Sequence, residues 1–158
     1  MFDLSGKSTV KSYDIRGNEI EESYLDETGR PSLNPNGIAR WTAKYSESND
    51  IIDKTYFDQV GKPAAVEVYL EEVKPSGEAQ KAGLAAGDVL VSYDGKAIRN
   101  DAEFTTRVKA PGNSPRELVV LRRRLRLNFE VQPGLLGVQL RVRATASPSP
   151  ISGNSTNR

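Results

Sequence analysis

Between positions 76 and 96 the chain reads Ser-Gly-Glu-Ala-Gln-Lys-Ala-Gly-Leu-Ala-Ala-Gly-Asp-Val-Leu-Val-Ser-Tyr-Asp-Gly-Lys. The first part, from Glu78 to Leu84, predicts a short helix that is stopped by glycine. The second part predicts a tight turn, a buried strand and then a further turn at Asp94-Gly95. The stretch therefore predicts a short helix and a buried strand separated by a tight turn.

The residues on both sides of this stretch predict the other elements of the unit. The alternating pattern from Val66 to Val73 predicts a strand before it. Asn100 or Asp101 can cap a helix that runs to about Ala110. Further along, the pattern predicts a hairpin from Arg116–Arg122 and Arg124–Val131 and another strand in Gly137–Val142.

With these elements around it, the stretch from Val66 to Val142 resembles PDZ domains. In that family a loop of the form x-Φ-G-Φ, where Φ is apolar, precedes a strand and receives the terminal carboxylate of a peptide. The run Leu135-Leu136-Gly137-Val138 fits this form. Here the loop follows the last hairpin, whereas the family usually places it near the start of the domain. The resemblance therefore implies a circularly permuted, bacterial-like PDZ domain, with Val138–Arg141 closing the sheet beside the helix.

The resemblance also implies a peptide groove between that strand and the helix. A peptide would add as an extra strand, and backbone N–H groups of the loop would neutralise its carboxylate. The implied site residues are Leu135, Leu136, Gly137, Val138, Leu140, Asp101, Thr105 and Val108. A small apolar pocket predicts a partner with an apolar C-terminal residue. Asp101 stands where many family members carry histidine, so their preference for Ser or Thr two residues from the end is not implied. A plain β-turn at 134–137 is the alternative.

The first 63 residues have a different sequence pattern, which repeats after 32 residues. Tyr13–Pro31 matches Tyr45–Pro63 at six of nineteen positions, and each copy predicts a β-hairpin followed by an Asp-x-x-Gly turn. Phe2–Lys7 echoes Phe57–Lys62 as the end of a further copy. The unit loosely resembles the YD-type hairpin repeats of bacterial surface and toxin-shell proteins.

The aromatic and acidic residues of the repeats have two interpretations each. The aromatic side chains could stack on sugars, but we expect them to form the repeat core; they are Tyr13, Tyr24, Trp41, Tyr45, Tyr56 and Phe57. Asp26 and Asp58 could bind calcium, but we expect Asx turns because no dense run of alternating carboxylates accompanies them.

Composition excludes several kinds of chemistry. The chain has no histidine and no cysteine, which removes imidazole bases, thiol nucleophiles, disulfides and the common zinc sites. Ser5-Gly6-Lys7-Ser8 lacks the first glycine of a phosphate-binding loop. No apolar stretch approaches the roughly 20 residues of a membrane helix. We therefore predict no catalysis, no metal, no cofactor and no membrane span.

Charge is unevenly distributed along the chain. Residues 1–63 hold 11 acidic and 8 basic side chains, whereas the rest holds 10 acidic and 14 basic ones. A basic cluster, Arg122-Arg123-Arg124 with Arg126, could contact nucleic acid or anionic lipid. Because strand alternation separates these side chains and no aromatic platform accompanies them, we expect a solvated hairpin tip and no nucleic-acid partner.

The sequence thus predicts an α+β protein: antiparallel β-hairpin repeats over 1–63, a PDZ-like partly open β-barrel with two helices over 64–143, and a flexible tail over 144–158. The expected function is a non-catalytic module that captures a C-terminal or extended peptide segment. The alternative is a structural or regulatory fragment of a larger multidomain protein, possibly a protease, with the groove filled internally. The compartment stays undetermined.

Overall fold

The computed structural model describes residues 7–145, which form two antiparallel sheets and two short helices. The N-terminal sheet has four strands in sequential order. They are β1 (Ser8–Tyr13), β2 (Glu19–Leu25), β3 (Arg40–Tyr45) and β4 (Ile51–Phe57). The echo predicted in residues 2–7 falls almost wholly outside the described residues.

Side chains at the strand ends close the turns of this sheet. The carboxylate of Asp26 accepts hydrogen bonds from the amides of Thr28 and Arg30 at 2.8 and 3.0 Å. Asp58 accepts in the same way from Val60 and Lys62, at 3.0 and 2.9 Å. These are the Asx turns expected from the sequence.

One face of the N-terminal sheet carries a cross-strand row. Lys11, Glu22, Trp41 and Tyr56 are successive partners across the four strands. Tyr56, at 4% exposed, is buried, but Tyr13 is 56% exposed. The expectation that all the repeat aromatics form a core is therefore wrong for Tyr13, which lies at the end of edge strand β1.

The C-terminal sheet has six strands, in the order β10-β5-β6-β8-β9 with β7 paired to β6. These strands are β5 (Val66–Val73), β6 (Val89–Tyr93), β7 (Lys96–Ala97), β8 (Arg116–Arg122), β9 (Leu125–Val131) and β10 (Val138–Ala144). The helices are α1 (Glu78–Ala82) and α2 (Asp101–Val108). Ala144, where the sequence predicted the tail to begin, is the last residue of β10, and residues 146–158 lie outside the described residues.

Local chemistry sets the limits of both helices. α1 ends at Gly83, whose left-handed φ of 104° suits glycine and whose missing Cβ leaves room for the Phe129 ring. α2 begins after Asn100, whose side chain accepts from the Glu103 amide at 2.8 Å. It ends at Val108, slightly earlier than the sequence predicted. Its buried Phe104 packs edge-on against Tyr93, with ring centroids 5.5 Å apart.

An ion pair with a buried carboxylate joins the α1–β6 turn to the β8–β9 hairpin. Asp88 is 1% exposed and binds the Arg122 guanidinium through two hydrogen bonds of 2.8 and 2.9 Å. It also accepts from the Ala85 amide at 2.9 Å. Arg122 is therefore not part of a solvated tip as expected, because the last residue of β8 reaches back to an internal carboxylate. Arg123 and Arg124 form the turn, both with positive φ.

We expect Asp88→Ala to lower the free energy of unfolding by about 3 kcal/mol, because it leaves the Arg122 guanidinium and the Ala85 amide without their carboxylate. Urea denaturation followed by circular dichroism measures this loss. Glu71→Ala is the matched control, since it removes an exposed carboxylate that pairs with Arg141. It should cost no more than about 0.5 kcal/mol. Equal losses for the two variants would contradict a structural role for the Asp88 pair.

Candidate functional site

The last strand of the C-terminal sheet has one free edge. β10 pairs with β5 from Val138 opposite Val73 to Ala144 opposite Val66, and it is the outermost strand. The Gly137 carbonyl accepts from the Lys74 amide at 2.8 Å, and the Thr145 amide donates to Ala65 at 3.1 Å, so both face β5. Backbone groups of successive strand residues alternate between the two edges.

The β10–β5 register shifts between Gln139 and Leu140, where β5 carries the additional residue Glu71, so the alternation continues along β10 between these two anchors. Val138, Leu140 and Val142 direct their backbone N–H and C=O groups away from β5. Within residues 7–145, none of these groups has a hydrogen-bond partner on the outer side. The partly buried side chains of the same three residues pack against the core. Within these residues, the outer edge of β10 therefore carries a row of unpaired N–H and C=O groups, and the side chains of the same residues form an apolar surface.

The loop before β10 extends this row. The Leu136 carbonyl accepts from the Ala79 amide, and the Gly137 carbonyl accepts from Lys74, both at 2.8 Å. In a trans peptide unit the C=O of one residue and the N–H of the next point in opposite directions, and no peptide bond among the described residues is cis. The amides of Gly137 and Val138 are thus both directed away from the segment 74–79.

Glycine is required at two points of this arrangement. Gly137 has φ of 74°, a conformation that L side chains rarely adopt. Gly77 lies directly beneath the loop, and a Cβ there would come within 3.2 Å of the Leu136 carbonyl oxygen. Gly77 was missed from the sequence, where it is marked only as a glycine shortly after Pro75.

Helix α2 lines the other side of the groove. Its C-terminal end meets the loop, because the Gly134 amide donates to the Val108 carbonyl at 2.8 Å. Thr105 is half-buried one turn earlier. Val108 and Leu136 belong to the hydrophobic core, whereas Leu135 is 81% exposed. The structure therefore brings the loop, β10 and α2 together, but Leu135 turns its side chain to solvent.

Asp101, at the start of α2, is bound by side chains of the N-terminal sheet. Its carboxylate accepts from the Tyr56 hydroxyl at 2.7 Å and pairs with the Lys54 ammonium at 3.4 Å. The Asn100 side chain donates to the Lys54 carbonyl at 3.2 Å. Sequence reasoning missed Lys54 and Tyr56, because a contact between α2 and β4 leaves no periodic signal in either segment.

Two cavities lie between the N-terminal sheet and the groove. The first, about 200 Å³, has Asp101, Leu140 and Val142 on the groove side. From the sheet it is lined by Glu22, Trp41, Lys54 and Tyr56. The second, about 600 Å³, lies where Tyr45 and Ile51 face Asp101 and Thr105. Asp101 borders both cavities, so it stands between them.

Electrostatics hold the phenols of this interface in the protonated, donating form. Burial raises the pKa of Tyr56 far above its ordinary value, and the Asp101 charge and hydrogen bond raise it further. Burial, and to a smaller extent the hydrogen bond to Glu22, raises the pKa of Tyr24 to about 12. The Glu22 carboxylate also accepts from the Trp41 indole N–H at 3.0 Å. Both phenols therefore stay protonated at neutral pH, and they donate hydrogen bonds to the carboxylates of Asp101 and Glu22.

We expect Tyr56→Phe to be less stable than the unmodified protein at pH 8, because it loses a hydrogen bond to a carboxylate that contributes about 2 kcal/mol. Since the pKa of Tyr56 is higher in the folded than in the unfolded state, its contribution is complete below pH 10 and is lost as the pH rises above 10. The difference between the two proteins should therefore shrink between pH 8 and pH 11. Thermal denaturation at both pH values measures it, and a constant difference would contradict the Tyr56–Asp101 bond.

Comparison with known protein families bears on the C-terminal sheet. Residues 69–122 match the model of the PDZ domain family, from within β5 to the end of β8. The matched region contains α1, α2 and the buried Asp88, and it ends before the 135–138 loop and β10. The match supports a PDZ domain in this part of the chain, and PDZ domains generally mediate protein–protein or peptide binding.

Proposed function

We propose that this chain is a non-catalytic module that captures the C-terminal segment of a protein or peptide by β-strand addition. The observation that carries this proposal is the alignment of two amides with a free strand edge. The amides of Gly137 and Val138 are directed away from the segment 74–79, and the unpaired groups of Leu140 and Val142 continue along β10. Consecutive amides of this kind form a concave site for an anion.

The ligand strand would run antiparallel to β10, with its carboxylate at the loop. Its main chain would bond the outward groups of β10, and this addition supplies affinity that is largely independent of sequence. Its last side chain would lie over Leu136 and Val108, which are buried and apolar. We therefore propose an apolar C-terminal residue as the preferred ligand end.

Catalysis has no support in the chemistry of the chain. The sequence contains neither histidine nor cysteine. Within residues 7–145 no three acidic side chains are grouped so that they could hold a metal ion, and no helix is long and apolar enough to cross a membrane. The buried carboxylate of Asp88 is engaged by Arg122. Binding is thus the activity that these residues support best.

A second candidate is a structural or regulatory fragment whose groove is covered internally. The engagement of Asp101 by Tyr56 and Lys54 favours it, because this contact brings the N-terminal sheet to the groove. In that case residues 1–63 would act as hairpin repeats that dock on the domain over 64–143. The two candidates differ in one property, which is whether a free peptide terminus binds.

The carboxylate provides the first test. A peptide of about five residues with an apolar last residue should bind with micromolar affinity, since short strand addition buries a modest area. Amidation of its C-terminus should weaken binding at least about tenfold, because a hydrogen bond to a charged group contributes roughly 1.5–3 kcal/mol against about 1 for a neutral one. Isothermal titration calorimetry compares the two peptides. Equal affinities would refute the carboxylate site, and no binding of either would favour the internally covered groove.

The position of the groove provides the second test. Thr105→Tyr should reduce peptide affinity at least about tenfold, because Thr105 is a proposed ligand contact on α2 and a larger ring there would obstruct the ligand. Val108 is a poorer choice, since it lies in the core and its substitution would test folding. Arg123→Ala, in the distant β8–β9 turn, is the control and should leave affinity unchanged. Fluorescence polarisation with a labelled peptide measures both, and full binding by Thr105→Tyr would contradict this location.

A further inference from the structure

The free edge of β10 ends abruptly at Ala144. The Ala144 amide, which by alternation faces away from β5, donates to the Asn36 carbonyl at 2.8 Å. A Cβ at Gly37 would meet the Ala144 side chain at 3.1 Å. The loop between β2 and β3 therefore occupies the position that the next ligand residue would take.

This loop is held in place by its own hydrogen bonds. The Asn34 side-chain oxygen accepts from the amides of Asn36 and Ile38, both at 2.9 Å. The Asn34 amide in turn donates to the Ile38 carbonyl at 2.8 Å. Ile38 and Ala39, which follow directly, are buried. The loop is therefore shaped by an Asx turn and anchored on buried residues beside Ala144.

The N-terminal sheet also lies beside the C-terminal end of β10. Tyr56 and Lys54 hold the Asp101 carboxylate, and the space between them and β10 is the cavity of about 200 Å³. This cavity is also lined by Asn34, Asn36 and Ile38 of the loop. An extended chain that passed Val142 would have to cross this space and then meet Asn36.

We infer that the N-terminal sheet and the Asn34–Ile38 loop limit the ligand of this groove to a short chain end. The positions from Val138 to Val142 accommodate about five ligand residues at roughly 3.3 Å each. The ligand class is therefore a short free peptide, or a protein terminus whose chain bends away before the sixth residue from its end. This inference rests on the proposed peptide-binding function and adds a length limit to it.

The test is a series of peptides of 3, 5, 7 and 10 residues that share one apolar C-terminal sequence, titrated into the full chain by calorimetry. Affinity should rise from 3 to 5 residues and then fall about tenfold at 10 residues when the added residues are prolines, because a proline run stays extended and does not bend away from the loop. A 10-residue peptide that binds as tightly as the 5-residue one overturns the length limit while the proposed function stands. No binding at any length overturns the proposed function itself.

A substitution in this loop tests whether the loop causes the length limit. Asn34→Ala removes the acceptor that shapes the turn, so the 10-residue peptide should regain affinity to within about twofold of the 5-residue one. Asn34→Asp retains the acceptor and should keep the tenfold difference, which makes it the matched control. Near-ultraviolet circular dichroism verifies that both variants are folded. If folded Asn34→Ala still discriminates by length as the unmodified chain does, the loop is not the obstacle and the inference fails.

Discussion

The pairing of β10 with β5 is the constraint on which the rest of the C-terminal sheet depends. It joins the last strand of the described chain to the first strand of this sheet over seven residues, from Val138 to Ala144. Because this ladder uses the carbonyl of Gly137, the orientation of the preceding loop is set by it. Within residues 7–145 the same ladder leaves the opposite edge of β10 without a partner strand, so the free edge and the sheet arise from one interaction.

Asp101 shows how the two sheets depend on each other. Its position at the start of α2 would place a free carboxylate beside a bound peptide. Instead, Tyr56 and Lys54 satisfy the carboxylate, and the Lys54 ammonium also lies 4.5 Å from the centroid of the Trp41 ring. The Asp101 carboxylate is therefore not an unpaired charge at the start of α2. The N-terminal sheet therefore sets the chemistry at this end of α2.

Several features could be predicted from the sequence because their causes are local. The strand Val66–Val73 follows from its partly alternating pattern, and the start of α2 follows from the capping ability of Asn100. The Asx turns at Asp26 and Asp58 depend only on residues two and four positions away. Expectations were wrong where the cause was distant. Arg122 was expected to be solvated, because its partner Asp88 lies 34 residues away in the chain. Tyr13 was expected to be buried, because nothing local identifies an edge strand.

The sequence by itself determined the elements, the turns and the kind of chemistry available, since periodicity, capping residues and the absence of histidine and cysteine can all be read along the chain. It also marked the loop Leu135–Val138 as the place to look for a ligand. Only the tertiary structure decided that the loop amides face outward, that Asp101 is engaged by Tyr56, and that Asn36 ends the free edge of β10. The physical reason is that each of these contacts joins residues remote in the chain, whose meeting depends on how the two sheets pack and leaves no local pattern.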